Sequence, residues 1–352
     1  MKALKIGAGA LLALVVVAVV GVMVMVSRGN ARLERRWDEV KGVDVPVPWP
    51  LDEPELAALR EAKKQELQAK AATAAAGEAA PLPADADLLA GVDLVAIAKE
   101  RALARGKHLI EARGGCADCH GADFGGKVII DAPPMGVWAS PNITMGGNAK
   151  NLAPADWDRI VRHGVAKDGT SATMPAIDYT GMSDRELSDI ITFITSAPPV
   201  DKPNIENKMG PVRGVLIATG GIPVAAELID HGAGHPKVPP DEAVTLEFGK
   251  HVASGCVGCH GLNFAGGPVP GGDPKWPDAA NLTPDASGLA GWTAADFRTL
   301  AREGKSKDGR EMQEPMKGIT AAMRAMTDTE LDATFLFLQS LPPLAKGAAT
   351  AP

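Results

Sequence analysis

Two stretches decide the reading of this chain: Gly115-Cys116-Ala-Asp-Cys119-His120-Gly121 and Gly255-Cys256-Val-Gly-Cys259-His260-Gly261. They contain all four cysteines of a 352-residue sequence. Thiols at i and i+3 share one face of a helical turn, so they can add across two vinyl groups of one haem. The next residue, His, then projects its imidazole at the haem plane. C-x-x-C-H therefore reads as a c-type haem attachment site. A zinc ribbon wants its cysteine pairs 15–20 residues apart, whereas 136 residues separate Cys119 from Cys256. A thioredoxin-like pair needs a βαβ context that the sequence lacks. Neighbouring disulfides give no reason for a His after both pairs.

The motifs sit inside a repeat. The first copy runs Gly106-Lys-His108, the motif at 116–120, Asn142-Ile-Thr144, a segment with Trp157 and Arg162, Lys167-Asp-Gly169, and Met174-Pro175. The second runs Gly249-Lys-His251, the motif at 256–260, Asn281-Leu-Thr283, a segment with Phe297 and Arg302, Lys307-Asp-Gly309, and Pro315-Met316. His to Asn is 22 and 21 residues; His to Met is 54 and 56. Such order repeated twice marks homologous units.

Each copy ends in a capping box, Ser183-x-x-Glu186 and Thr327-x-x-Glu330. Met182 or Met326 precedes the cap, and Leu187 or Leu331 follows to close a hydrophobic staple. Leu187, Ile190, Ile191 and Ile194 form one apolar helical face. Gly164 and Gly304 read as helix stops. No segment alternates like a strand, so the fold class expected is all-α: an N-terminal transmembrane helix, then two tandem helical domains. The divisions expected are 1–30 anchor, 31–92 leader with a charged helix and an Ala/Pro linker over Ala75–Asp87, 93–200 first domain, 201–243 connection and 244–345 second domain.

Ile6 to Val26 carries no charge, and 21 helical residues rise about 31 Å, enough to cross a bilayer. No small-residue cleavage pattern follows, which favours an uncleaved anchor. Lys2 and Lys5 precede the span and Arg28, Arg32, Arg35 and Arg36 follow it, so charge alone does not orient it as the haem chemistry requires. Lys plus Arg is 36 against 43 Asp plus Glu, net −7. No basic excess exists for phosphates, so a nucleic-acid partner is not expected.

These features resemble the class I cytochromes c, specifically membrane-anchored tandem di-haem members. The two Gly-Cys-x-x-Cys-His-Gly runs, Met174-Pro175, Tyr179, Asn281-Leu-Thr-Pro284 with Gly291-Trp292, and Met326-Thr-Asp-x-Glu-Leu carry the likeness over about 240 residues. The resemblance implies a small helical fold around each haem, with the Gly106 and Gly249 helices crossing the helices that carry Phe193 and Phe337. It implies two covalent c-type haems on Cys116, Cys119, Cys256 and Cys259, with His120 and His260 on the irons. Met174 stands at the family's sixth-ligand position. In the second copy Met316 is the expected ligand and Met312 the alternative. Haem attachment outside the cytoplasmic membrane of a bacterium then places the N-terminus inside and both domains on the periplasmic side.

The remaining expectations are weaker in chemistry. His108 and His251 read as exposed helix residues, with bis-His ligation the alternative. The carbonyls of Pro133 or Pro134, and of Pro268 or Pro270, are candidates to orient the ligating histidines. Arg162 and Arg302 face either haem propionates or solvent. With Met on both irons, the function expected is a membrane-tethered electron carrier between a dehydrogenase or quinol-oxidising donor and a downstream acceptor, with redox proteins as partners. The alternatives are the cytochrome subunit of a membrane dehydrogenase, or a di-haem peroxidase-like enzyme. The latter needs a reserve histidine, and only His163 lies between His120 and Met174.

Overall fold

The computed structural model describes residues 2–73 and 83–349, so most of the Ala/Pro linker lies outside the described residues. About half of the chain is helical, with little sheet. Helix α1 (Lys2–Leu33) holds one segment, Leu11–Leu33, long and apolar enough to cross a membrane. It runs on past the expected end at residue 30. The charged helix α2 (Glu53–Thr73) follows the extended leader. The first domain holds α3 (Leu94–His108), continued by a π-turn to Gly114, then α4 (Cys116–His120), α5 (Pro154–His163) and α6 (Asp184–Ser196). The connection contributes α7 (Pro211–Thr219). The second domain holds α8 (Leu246–Ala253), α9 (Val257–His260), α10 (Ala294–Glu303), α11 (Met316–Ala325) and α12 (Asp328–Ser340).

In both domains the first helix crosses the last, α3 on α6 and α8 on α12. A β-carbon at Gly106 would run into the Asp189 carbonyl and meet Phe193 Cβ at 2.9 Å. One at Gly249 would strike the Ala333 carbonyl and meet Phe337 Cβ at 2.9 Å. Glycine is required there because the two backbones touch. Both capping boxes form: Ser183 N–H donates to Glu186 Oε2 at 2.8 Å and Thr327 N–H to Glu330 Oε2 at 2.8 Å. Gly164 and Gly304 end α5 and α10 at φ 65° and 72°, the left-handed stop that glycine allows.

The absence of strands was too strict an expectation. β1 (Lys127–Ala132), β2 (Gly136–Ser140) and β3 (Lys208–Met209) form a small antiparallel sheet in the order β1-β2-β3. Its register slips between Val128 and Ile130, and β3 comes from the connection. Short strands with a bulge leave no clean alternation to read.

The connection is also more than a spacer. Its helix α7 packs against the end of α1, where Gly214 meets Gly29 backbone to backbone. The leader wraps the first domain, burying Trp37, Val40 and Val45, and Ser188 Oγ donates to Pro46 O at 2.5 Å. Glu55 of α2 pairs with Arg101 and Arg105 of α3. Among the described residues, the leader gives the second domain no such wrapping.

Candidate haem sites

Each Cys-x-x-Cys-His run follows the domain's first helix and ends in a short helix stopped by a glycine, α4 taking the whole run in the first domain and a 3-10 turn over Ser254–Cys256 leading into α9 in the second. Gly121 and Gly261 take φ 84° and 77°. Cys116 and Ala117 pack on the first core with Leu109, Phe124 and Leu187; Cys256 and Val257 pack on the second with Phe264, Leu289 and Leu331. The four cysteines are unbridged, as thiols destined for thioethers must be.

The histidines are oriented by backbone. His120 Nδ1–H donates to Pro141 O at 2.9 Å, and His260 Nδ1–H donates to Ala280 O at 2.7 Å. A ring whose Nδ1 carries the proton presents a bare Nε2, the atom an iron takes. Burial pushes both pKa values down, against the pull of those carbonyls, which keeps the rings neutral. The orienting groups are thus neither Pro133 nor Pro134, and neither Pro268 nor Pro270. They are the residues just before Asn142 and Asn281. Those asparagines are buried and accept from Thr144 and Thr283, backbone N–H at 3.0 and 2.9 Å and hydroxyl at 2.8 Å in both copies. This Asx turn fixes the carbonyl that fixes the imidazole. The repeated Asn-x-Thr was the signal that marked it.

Phe124 and Phe264 were missed. Each lies four residues after the motif His, buried, with φ 57° and 60°. A left-handed backbone at a bulky residue costs on the order of 1–3 kcal/mol and persists where its surroundings impose it. Ile143 N–H and Leu282 N–H donate to their carbonyls at 2.9 and 2.8 Å, and edge-to-face rings of Phe193 and Phe337 hold the side chains.

The methionine side differs between the copies. Met174 packs on the first core together with Cys116, Tyr179 and Met182, and Tyr179 donates to Gly114 O at 2.6 Å. In the second copy Ala172 N–H→Gly164 O finds its counterpart in Met312 N–H→Gly304 O. Counting from there puts Glu314-Pro315 where Met174-Pro175 stands. Met316 then opens α11, a ten-residue helix where the first domain has one turn at Ala176–Tyr179. Met323 and Met326 pack on the second core. The Thr320 hydroxyl donates to Lys317 O at 2.7 Å, and the Met312 sulfur lies 4.0 Å from that hydroxyl oxygen.

His108 and His251 are not free surface residues. His108 Nε2 lies 3.0 Å from Glu330 of the second domain, and His251 Nε2 lies 2.8 Å from Glu186 of the first. Both glutamates are the capping-box residues, so each box is also a docking point. Arg113 adds a second pair to Glu186 at 2.9 Å. Burial favours a neutral Glu186, yet His251 and Arg113 hold its pKa at about 2. The Glu330 hydrogen bond raises that of His108 against burial. Beside these pairs, Gly258 N–H of the second motif donates to Asp178 Oδ1 of the first domain at 2.7 Å. Burial raises Asp178 to about 6 despite that bond.

Of the two arginines, Arg162 departs from both expected readings and Arg302 follows the solvent one. Arg162 is fully buried and bonded to Asp158 at 2.5 Å, Met182 O at 3.0 Å and Asp184 at 2.9 Å, so it is spent on structure. Arg302 pairs with exposed Asp328 at 2.8 Å. His163 faces His231, not a haem motif.

Comparison with known proteins follows the same division. The family described as cytochrome c oxidase, cbb3-type, subunit III, matches residues 101–194, and the family described as cytochrome c matches residues 247–342. The chain is a di-haem cytochrome c. A diheme cytochrome c-type protein of Cereibacter sphaeroides is 25% identical over 296 residues, covering 75% of this chain and 92% of that protein. The fructose dehydrogenase cytochrome subunit of Gluconobacter japonicus is 24% identical, over 72% of this chain and 56% of its own length. The alcohol dehydrogenase (quinone) cytochrome c subunit of Gluconacetobacter polyoxogenes is 25% identical, over 66% and 54%. This di-haem cytochrome thus spans about half the length of those two dehydrogenase subunits.

Proposed function

We propose that this cytochrome is tethered by α1 with both domains outside the cytoplasmic membrane, and that it carries single electrons from a membrane dehydrogenase to a downstream acceptor. When bound, each haem supplies a one-electron couple. The chain's own work is to attach, orient and enclose. Cys116 and Cys119, and Cys256 and Cys259, attach the two groups. His120 and His260 offer Nε2 with the ring fixed from behind. Met174 would close the first iron and Met316 the second, with Met312 the alternative there. Irons held by both a His and a Met would offer no vacancy to a substrate, which suits a carrier.

The observation that carries the reading is the duplicated backbone clamp on His120 and His260. Orientation draws support from the arginines after the span. Arg32 pairs with Glu227, Arg36 with Asp38, and Arg35 lies 4.0 Å over the Trp37 ring. Charges tied into the folded domain do not have to face the cytoplasm.

The test is to solubilise native membranes, isolate the cytochrome and identify what reduces it. A co-purifying dehydrogenase whose substrate reduces both haems is the expected result. A cytochrome reduced by no co-purified dehydrogenase overturns the donor assignment. Met174→Ala and Met316→Ala should each turn one iron high-spin and lower its potential, whereas Met312→Ala should leave both spectra unchanged.

A further inference from the structure

Three of the seven histidines belong neither to the haem motifs nor to the docking pairs between domains, and they meet one another. His163, at the end of α5, is 4% exposed. His231 and His235 come from the connection, with ring centroids 5.3 and 5.2 Å from that of His163. Buried Asp158 places Oδ2 3.7 Å from His163 Nε2. One ligand atom each from Asp158, His163 and His235 lies within 4.8 Å of the others.

The hydrogen bonds locate the protons on neutral rings. A carbonyl only accepts, so the nitrogen facing it carries hydrogen. His231 Nε2 faces Ala226 O at 2.8 Å, which leaves His231 Nδ1 bare. His163 Nδ1 lies 3.2 Å from it and must donate, which leaves His163 Nε2 bare toward Asp158. His235 Nδ1–H donates to Thr180 O at 3.0 Å, and its Nε2 is buried with no partner. Two bare nitrogens and a carboxylate oxygen therefore converge with no proton between them. At 3.7 Å the His163–Asp158 approach is too long for a hydrogen bond. Such a set of lone pairs is unfavourable until a cation joins them.

We propose that His163, His235 and Asp158 bind a divalent metal ion of the zinc class, clamping the inter-domain connection onto α5, with water as fourth ligand. Two imidazoles and one carboxylate suit Zn2+, Cu2+ or Ni2+ over Ca2+ or Mg2+. Each ligand is held from behind: His235 by Thr180 O, His163 by His231, and Asp158 by Val43 N–H at 2.6 Å and by Arg162, the outer support usual for metal sites. Local charge does not oppose the ion. Arg162 and Lys237 are matched by Asp158 and Asp184. The inference is independent of the haem assignment.

The experiment uses the haem-loaded full chain in detergent, free of any histidine tag and stripped with chelator, titrated with ZnCl2 by calorimetry. One Zn2+ per chain is expected, with no uptake of Ca2+ or Mg2+. His235→Ala and His163→Gln should each weaken it at least about 100-fold, and His231→Ala, a positioning residue, about 10–100-fold, all with unchanged haem spectra. His235 is less buried than His163, so its variant decides the matter if His163→Gln fails to accumulate. Absence of stoichiometric uptake, or uptake that survives the His235→Ala change, overturns the proposal. Uptake that instead vanishes in His108→Ala or His251→Ala also overturns it.

Discussion

Arg162 and Arg302 stand at one position of the repeat, two residues before the glycine that ends α5 and α10. Arg162 is wholly buried between Asp158 and Asp184. Arg302 is a third exposed and its partner Asp328 is 72% exposed. The domains themselves do not cause this difference. The leader and the connection cover this face of the first: Val43 N–H donates to Asp158, and Asp184 and Arg185 N–H donate to Pro236 and Lys237 carbonyls at 2.9 and 3.0 Å. The connection meets the second domain elsewhere, where Gly271 N–H donates to Gly221 O at 2.8 Å and the Thr327 hydroxyl to Glu242 Oε1 at 3.2 Å. One copy is the scaffold on which the leader and much of the connection are packed, while the face of the other around Arg302 stays open. A duplicated domain can thus hold its cofactor machinery constant while its outer face changes role.

The largest effect expected from this contrast is on stability. Arg162→Leu leaves buried Asp158 without its cation and Asp184 with Lys237 alone, and should cost about 3–5 kcal/mol, whereas Arg302→Leu, at an exposed pair, should stay within about 1 kcal/mol. Denaturant unfolding of the haem-loaded protein measures both. Equal losses would break the comparison.

Where the copies agree, they should respond alike. Gly106→Ala and Gly249→Ala each drive a β-carbon into the backbone of the crossing helix, at about 1–3 kcal/mol for overpacking. Separate melting of the two domains, followed at their haem absorption, reads each in turn. A loss in one domain only would show that the helix crossing is not equivalent.

The smallest effect concerns the docking pairs. His108, raised by Glu330, stabilises docking below its ordinary value of 6.5 and loses that contribution as pH rises through its raised value. Glu186, held at about 2, stabilises docking above 4.5 and loses it as pH falls toward 2. Asp178, raised to about 6 by burial, favours docking while protonated and loses that contribution as pH rises through that value, so docking should be firmest between about pH 4.5 and 6. His108→Gln should flatten the alkaline side by less than about 1 kcal/mol, since the pair is partly exposed, and leave the acid side intact. Small-angle scattering against pH, showing no alkaline loosening in the wild type, would contradict this.

Much of each domain was legible in local pattern. The capping boxes, the glycine helix stops and the glycine crossings depend on residues close in sequence or on a repeat that doubles the signal. The haem attachment residues were legible for the same reason. What escaped depends on distant partners. Nothing near His108 or His251 announces a glutamate in the other domain. Nothing near Arg162 announces the connection that covers it. The carbonyls behind His120 and His260 were sought at prolines, although the buried Asn-x-Thr turn that sets them was in plain view. The second sixth-ligand loop stayed ambiguous because α11 interrupts the repeat there.

That loop is where the account is most directly tested. Carbon monoxide binds ferrous haem only at an open or easily opened position, so titration of the dithionite-reduced wild-type protein counts such positions against two haems per chain. With Met174 and Met316 closing both irons, no carbon monoxide should bind. Uptake of one equivalent per chain would contradict the account, and whether it stays at one or rises to two when Met174 is intact and Met316 replaced would tell which iron is open.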